Sequence, residues 1–390
     1  MDGNDGGNGA TGALQGLRVI ELAAIGPVPL AGMLLADHGA DVVRVDRLSD
    51  SGLGLGLLPR FDVHARGRRS LALDLKAPSG RVALLRLLAS ADVLLEGFRP
   101  GVLENLGLVP DELLARNPRL VIGRMTGYGQ QGPLAQAAGH DLNYIALTGL
   151  LDAIGPADGV PVPPLNLVGD YGGGALFLAF GVMAALFERQ RSGRGQVVDA
   201  AMVDGVAVMA GLFQGLQAAG NWRGERAANL LDGGAPFYAC YETADGRHLA
   251  VAALEPKFFA ELGRHIGLDP AFLAAQHDRG RWPAMRAALT AIFLTRTRDD
   301  WCRLLAGTDA CVAPVLSLEE APQHAHAQAR RAYTHPDGVA QPAPAPRFSR
   351  SRPQAPRAAP QPGAHTHDIL KEAGMSPAEI EDLVATGVAR

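Results

Sequence analysis

From residue 17 to residue 122 the chain repeats one pattern. A short run of leucine and β-branched residues is followed by a stretch in which apolar positions recur every three or four. Runs at 17–22, 41–45, 70–75, 93–95 and 120–122 predict strands, and the segments 30–38, 79–89, 101–106 and 110–116 predict helices. Strands that alternate with helices at this spacing need crossover connections and form a sheet covered on both faces. The predicted fold class is therefore α/β, with a doubly wound, mostly parallel, Rossmann-like sheet. A long apolar helix is predicted over 175–191, after Gly172-Gly173-Gly174. A further strand follows at 196–201 and a second buried helix at 206–218.

After Gly224 the pattern changes. Residues 237–242 and 247–254 alternate around Ala244-Asp245-Gly246, the signature of a hairpin. Helices follow at 256–266, 282–293 and 298–305, the last with Thr297 and Asp300 in capping-box spacing. The predicted organisation is a disordered tail over 1–13, a large domain over 14–224 and a smaller α+β domain over 225–325. Residues 326–390 form a connector and C-terminal helices (368–373 and 376–384) that return to the large domain. The Pro/Ala-rich segment 341–363 predicts an extended crossing of a surface.

Composition narrows the classes of function. A net charge of −4, with Lys76, Lys257 and Lys371 the only lysines, leaves no lysine-rich tract and argues against a nucleic-acid partner. The Gly/Asn-rich start has no basic region followed by an apolar run, so it does not read as a signal peptide. The most apolar stretch, 174–187, is too short to span a bilayer, and no membrane partner is expected. Cys240, Cys302 and Cys311 form no CxxC pair and no even set, which favours a reducing, cytoplasmic setting and argues against a cysteine metal site.

The chemistry concentrates in two blocks. Asp170-Tyr171-Gly172-Gly173-Gly174 precedes an apolar helix, so an Asp170 carboxylate there sits beside unpaired N–H groups, stays ionised and serves as base or nucleophile. Asp170 equally fits a plain N-cap. The glycine run lacks GxGxxG spacing and lies far from the first βα turn, which argues against a dinucleotide. His140 precedes Asp141, the expected N-cap of the apolar stretch 142–151. A helix N-terminus favours the neutral imidazole that a general base requires, although a histidine filling a loop reads the same way. Glu255, before Pro256, either orients a histidine or supplies first-turn charge. Arg47, Arg68, Arg69, Asp74, Lys76 and Arg99 flank predicted strands, where a ligand crevice forms and where guanidinium groups suit phosphate. A solvated charged rim is the other reading.

The runs 17–22, 34–45, 96–102 and Gly139-His140-Asp141 with Asn143-Tyr144 resemble the class III CoA-transferase family of CaiB/BaiF type, and within it the α-methylacyl-CoA racemases. Supporting segments are 163–170, 197–202, 231–236, 309–315 and His365-Thr366, so the likeness spans 14–390 in order. The resemblance implies that His140 and Asp170 stand on opposite sides of the substrate's Cα and that Glu255 supports the histidine. The reaction it implies is epimerisation of 2-methylacyl-CoA thioesters by 1,1-proton transfer through an enolate, with backbone N–H groups at Asp170–Gly172 as candidates for the enolate hole. It further implies an interlocked homodimer whose site lies between the large domain of one chain and the small domain of its partner. CoA enters as part of the substrate, with no separate cofactor and no metal. Arg47, Arg68, Arg69, Asp74, Lys76, Arg99, Arg124, Tyr144 and Gly172 become candidate substrate contacts, and Met125, Met202 and Met209 a candidate acyl surface or, equally, core. Transferases of the family use the aspartate as a nucleophile that forms an acyl anhydride, and generally lack the histidine. A CoA-transferase and a non-catalytic acyl-CoA-binding subunit are the alternatives.

Overall fold

The computed structural model describes residues 12–49, 52, 55–352 and 355–390. It divides into two compact units: one comprises the chain up to Thr148, Leu165–Ala210 and Gln328–Arg390, the other Gly149–Pro164 and Gly211–Ala327.

The first unit is built on six parallel strands. In chain order its elements are β1 (Arg18–Leu22), α1 (Pro27–Asp37), β2 (Asp41–Asp46), β3 (Arg69–Ala72), α2 (Pro78–Leu88), β4 (Val93–Glu96), α3 (Val102–Asn105), α4 (Pro110–Arg116), β5 (Val121–Thr126), α5 (Asp141–Ala146), a π-helical segment (Leu167–Ala175), α6 (Leu176–Ser192), β6 (Val197–Ala201) and α7 (Met202–Met209). The strand order is β3-β2-β1-β4-β5-β6, so the winding reverses between β1 and β4. Side chains alternate across the sheet with period two. Ile20, Val43, Leu71, Leu94 and Ile122 enter one core with Leu84, Leu87 and Leu103. Val19, Val42, Val93 and Val121 enter the other with Val28, Ala31, Leu178 and Val182. Both faces being covered, the strands read as apolar runs without polar alternation.

The second unit contains α8 (Gly211–Ala218), β7 (Tyr238–Glu242), β8 (His248–Ala252), α9 (Pro256–Ile266), α10 (Pro270–Ala274), α11 (Trp282–Phe293), α12 (Arg298–Leu305) and β9 (Val312–Pro314). β8 is the centre of a three-stranded antiparallel sheet. Phe237, Phe259, Met285, Leu289, Phe293 and Trp301 close its core. Thr297 accepts the Asp300 N–H and caps α12, as its spacing predicts.

The chain then passes α13 (Ala325–Ala329) and returns to the first unit through β10 (Tyr333–Thr334), β11 (Gln341–Pro342), α14 (Thr366–Glu372) and α15 (Pro377–Ala385). Ile369, Leu370, Ile380 and Leu383 join the core of the first face. The buried Arg66 binds Asp37 at 2.6 Å and the Pro342 carbonyl at 2.6 Å, which holds the returning connector.

Several expectations are corrected. The helix read over 206–218 is two, α7 and α8, which fall in different units. The segment 149–164 belongs with the second unit, which also begins at Gly211 and not at 225. The helix read from 175 continues back to Leu167 as a π turn. Part of the Pro-rich stretch does pair, β11 with β10. Of the tail read as 1–13, residues 1–11 lie outside the described residues, while Gly12 packs against the His38 carbonyl. Leu167–Ser192 is long and apolar enough by composition to cross a membrane. One face of it, with Leu178, Val182, Ala185 and Leu186, enters the first unit's core.

Candidate functional site

Open parallel sheets bind ligands beyond the carboxyl ends of their strands where the winding reverses, here after β1 and β4. Gly26, in the β1–α1 turn with φ of 71°, places its Cα hydrogens where a Cβ would lie 3.2 Å from Asp170 Oδ2. Asp170 therefore stands at the reversal point. It is not the helix cap that the sequence allows, because it occupies the middle of the π segment. Asn166 Nδ2 donates to its Oδ2 at 3.1 Å. Burial raises the Asp170 pKa above the ordinary carboxylate value. Asn166 and the His140 charge oppose the rise and Asp141 adds to it. The carboxylate is thus partly desolvated, which favours its protonated form more than water would.

His140, not Asp141, is the cap residue of α5. Its backbone is extended, and its N–H donates to Asn143 Oδ1 at 3.1 Å. Its ring is on an exposed residue. Asp141 is buried in the first turn, and its Oδ2 accepts the N–H groups of Gly169 at 2.7 Å and Asp170 at 2.8 Å. One carboxylate thereby couples the histidine's turn to the aspartate's backbone. Tyr144 donates its hydroxyl to the Gly139 carbonyl and packs edge-on against Tyr128 at 4.9 Å, and burial pushes its pKa up to about 12. Its hydroxyl proton goes to the His140 loop, so Tyr144 helps to position that loop.

Of the N–H groups expected at 170–172 to form an enolate hole, that of Asp170 is taken by Asp141. Among the described residues, the N–H groups of Asp141 and Leu142 at the start of α5 are without an acceptor.

The expected cations separate into two groups. Arg47, Lys76 and Arg99 are exposed beyond the carboxyl ends of β2, β3 and β4, and form no ion pair among the described residues. Asp74 accepts the Lys76 N–H and shapes that turn. Arg68, Arg69 and Arg124 are structural. Arg68 is wholly buried against Glu21 at 2.9 Å. Arg69 opens β3 at the amino edge of the sheet, bound to Asp41 and Glu372. Arg124 is held between Glu96 and Glu104. Met125 and Met202 are buried in the core, whereas Met209 is 37% exposed beside half-buried Gly172. Glu255, in the second unit, is exposed as the cap of α9, its carbonyl accepting the Phe258 and Phe259 N–H groups.

Asn166 and the double acceptor role of Asp141 escaped the sequence reading. The four-residue spacing between Asn166 and Asp170 was the available signal, and it points to a contact only once the segment is known to be helical.

The matching family model, CoA-transferase family III, covers residues 14–366, and the chain belongs to that family. It is 47% identical over 373 residues to alpha-methylacyl-CoA racemase of Mus musculus and 44% identical over 376 residues to that of Homo sapiens, each time covering 95% of this chain and 96% of the relative. A CAIB/BAIF family protein from Brucella suis has a similar structure, with a TM-score of 0.77 and 29% identity over 93% of this chain and 100% of that one.

Proposed function

We propose that the protein epimerises the α-carbon of 2-methylacyl-CoA thioesters by 1,1-proton transfer. The observation that carries this reading is the Asp141 bridge, which holds two proton-carrying side chains, His140 and Asp170, in one rigid corner at the sheet's reversal point. A thioester α-proton is far less acidic than either group, so its removal needs a placed base and donors aimed at the developing enolate oxygen. His140 takes the proton from one face while protonated Asp170 returns one to the other, and the roles reverse for the opposite epimer. The raised pKa of Asp170 supports its acid role. The free N–H groups of Asp141 and Leu142 receive the enolate oxygen. Arg47, Lys76 and Arg99 meet the CoA phosphates. Inversion needs only these side chains, with CoA as part of the substrate and no metal or redox group.

The enzyme works as a cytoplasmic homodimer, and Glu255 supports the histidine of a second copy. Leu176, Phe180, Met183 and Phe187 lie at helical spacing along α6 and are 38–72% exposed, an apolar stripe that a second copy would cover.

Incubation with a 2-methylacyl-CoA in heavy water, without an acceptor acid, tests the reading. Loss of the α-proton signal by NMR together with epimerisation is the expected result. No exchange, with a hydroxylamine-sensitive acyl adduct at Asp170 formed from the acyl-CoA and CoA passed on only when a carboxylic acid is added, would assign acyl transfer instead.

A further inference from the structure

The π segment that carries Asp170 is held residue by residue. Asp141 accepts the N–H groups of Gly169 at 2.7 Å and Asp170 at 2.8 Å. The β1–α1 turn closes against the carboxyl itself, since a Cβ on Gly26 would stand 3.2 Å from Asp170 Oδ2. The next residue, Tyr171, meets the His64 imidazole edge-on, with centroids 5.3 Å apart and planes at 87°. His64 belongs to a 3₁₀ turn, Val63–Ala65, in the β2–β3 connection, and Arg68 anchors that turn. Arg68 Nη1 donates to the His64 carbonyl and Nη2 to the Pro29 carbonyl of α1. The same guanidinium is wholly buried against Glu21 at 2.9 Å. Glycine at 32 lets α1 close over the pair, because a Cβ there would overlap Glu21 Oε2 and Arg68 Nη2. Pulling a buried guanidinium from its acceptors leaves uncompensated charge, so the His64 turn and α1 move as one body. Gly26 at the head of α1 and the His64 ring therefore grip the π segment from the same buried pair.

The half-buried imidazole stands among Asp62, Arg66 and Arg68. Burial lowers its pKa below the ordinary histidine value; the Arg68 and Arg66 charges add to the fall and Asp62 opposes it. At neutral pH His64 thus meets Tyr171 as an uncharged ring that packs. We infer that His64 is a positioning residue for the reaction: its ring seats Tyr171, and with it the backbone of Asp170, so that the carboxyl keeps its place and its partial desolvation. The inference rests on the function proposed above for what Asp170 does, and adds the side chain that fixes where Asp170 does it.

The test compares His64→Ala with His64→Phe, which keeps a ring without its nitrogen atoms, in the full chain, with circular dichroism to verify folding. Carbon-13 NMR of the aspartate-labelled protein follows the Asp170 carboxyl, identified by its loss in Asp170→Asn, and needs no turnover. His64→Ala is expected to bring the Asp170 titration down toward the ordinary value of 3.8, as water enters beside Tyr171. It is also expected to lower kcat for a 2-methylacyl-CoA by roughly ten- to a hundredfold, with KM little changed. His64→Phe is expected to restore most of both. An unmoved titration or an unmoved kcat in His64→Ala overturns the inference, as does His64→Phe falling as far as His64→Ala. Should His64→Ala not fold, His64→Phe decides by the same titration, a parent-like value supporting the ring contact and a fallen one overturning it. A parent without epimerase activity overturns the proposed function instead, and the titration alone then decides the place of His64.

Discussion

Asp141 is the residue on which the geometry of the site depends. Charge-assisted bonds from two N–H groups to one buried oxygen contribute roughly 1.5–3 kcal/mol each, and here both fix the backbone of the segment that carries Asp170. Asp141→Ala is expected to lower stability by about 3 kcal/mol and, on the proposed function, kcat more than KM, because His140 and Asp170 lose register while the exposed cations Arg47, Lys76 and Arg99 stay. Chemical denaturation and steady-state kinetics of the variant check this, with Asp141→Asn, which keeps an acceptor oxygen, falling between it and the parent. Asp170 gives a prediction of opposite sign. Its folded-state pKa is raised above the unfolded value near 3.8, so its ionised form costs stability at pH above the folded value, and that cost disappears as pH falls below the unfolded one. Asp170→Asn, inactive in epimerisation, should resist urea better than the parent at pH 7, with the advantage shrinking toward pH 4. A variant less stable at pH 7 would contradict the desolvated aspartate. His140 and Asp170 were both visible in the sequence as proton carriers near helix starts. Their environment was not, because it is shaped by a π turn that apolar spacing does not reveal and by Gly26, which is distant in sequence.

The boundaries of α4, α9 and α11 were legible, where a Pro in the first turn fixes φ, as were those of α12, where Thr297 caps the start. The π segment was not legible, since a wider turn leaves no mark on apolar spacing. It is shaped by close packing against α7, where a Cβ on Gly205 would lie 2.0 Å from the Gly173 carbonyl oxygen. Gly205→Ala therefore forces a methyl group against the Gly173 backbone. It is expected to cost about 1–3 kcal/mol and to lower epimerisation further by displacing Asp170, as thermal unfolding and initial rates would measure. A fully active, equally stable variant would show that α7 does not set the position of the segment.

For the whole molecule, the parallel sheet and its two covered faces follow from strand–helix alternation, but the division into units does not. Arg226 shows why. Its guanidinium binds the Asp152 carboxylate at 3.1 Å and the Gly159 carbonyl at 2.7 Å, tying 149–164 to a segment some seventy residues later. A linear reading of composition cannot see such a tie. The ion-paired places of Arg68, Arg69 and Arg124 were not legible for a related reason. Residue type and strand proximity were legible, whereas which edge of the sheet each side chain faces, and whether a carboxylate already holds it, depends on register. At this scale the apolar stripe of α6 gives a prediction. Phe180→Glu with Phe187→Glu should sediment as a folded single chain without epimerase activity, and retained activity in a single chain would contradict the dimer.

The central claim is that His140 and Asp170 address opposite faces of one carbon. Its most direct test follows α-proton exchange in heavy water for each pure epimer of a 2-methylacyl-CoA, using His140→Ala and Asp170→Asn. Each variant is predicted to lose epimerisation, slowed by about 10²–10⁴, yet to exchange the proton of one epimer only, and the two variants to choose opposite epimers. Exchange of both epimers by either variant, or the same epimer by both, would contradict the two-face account.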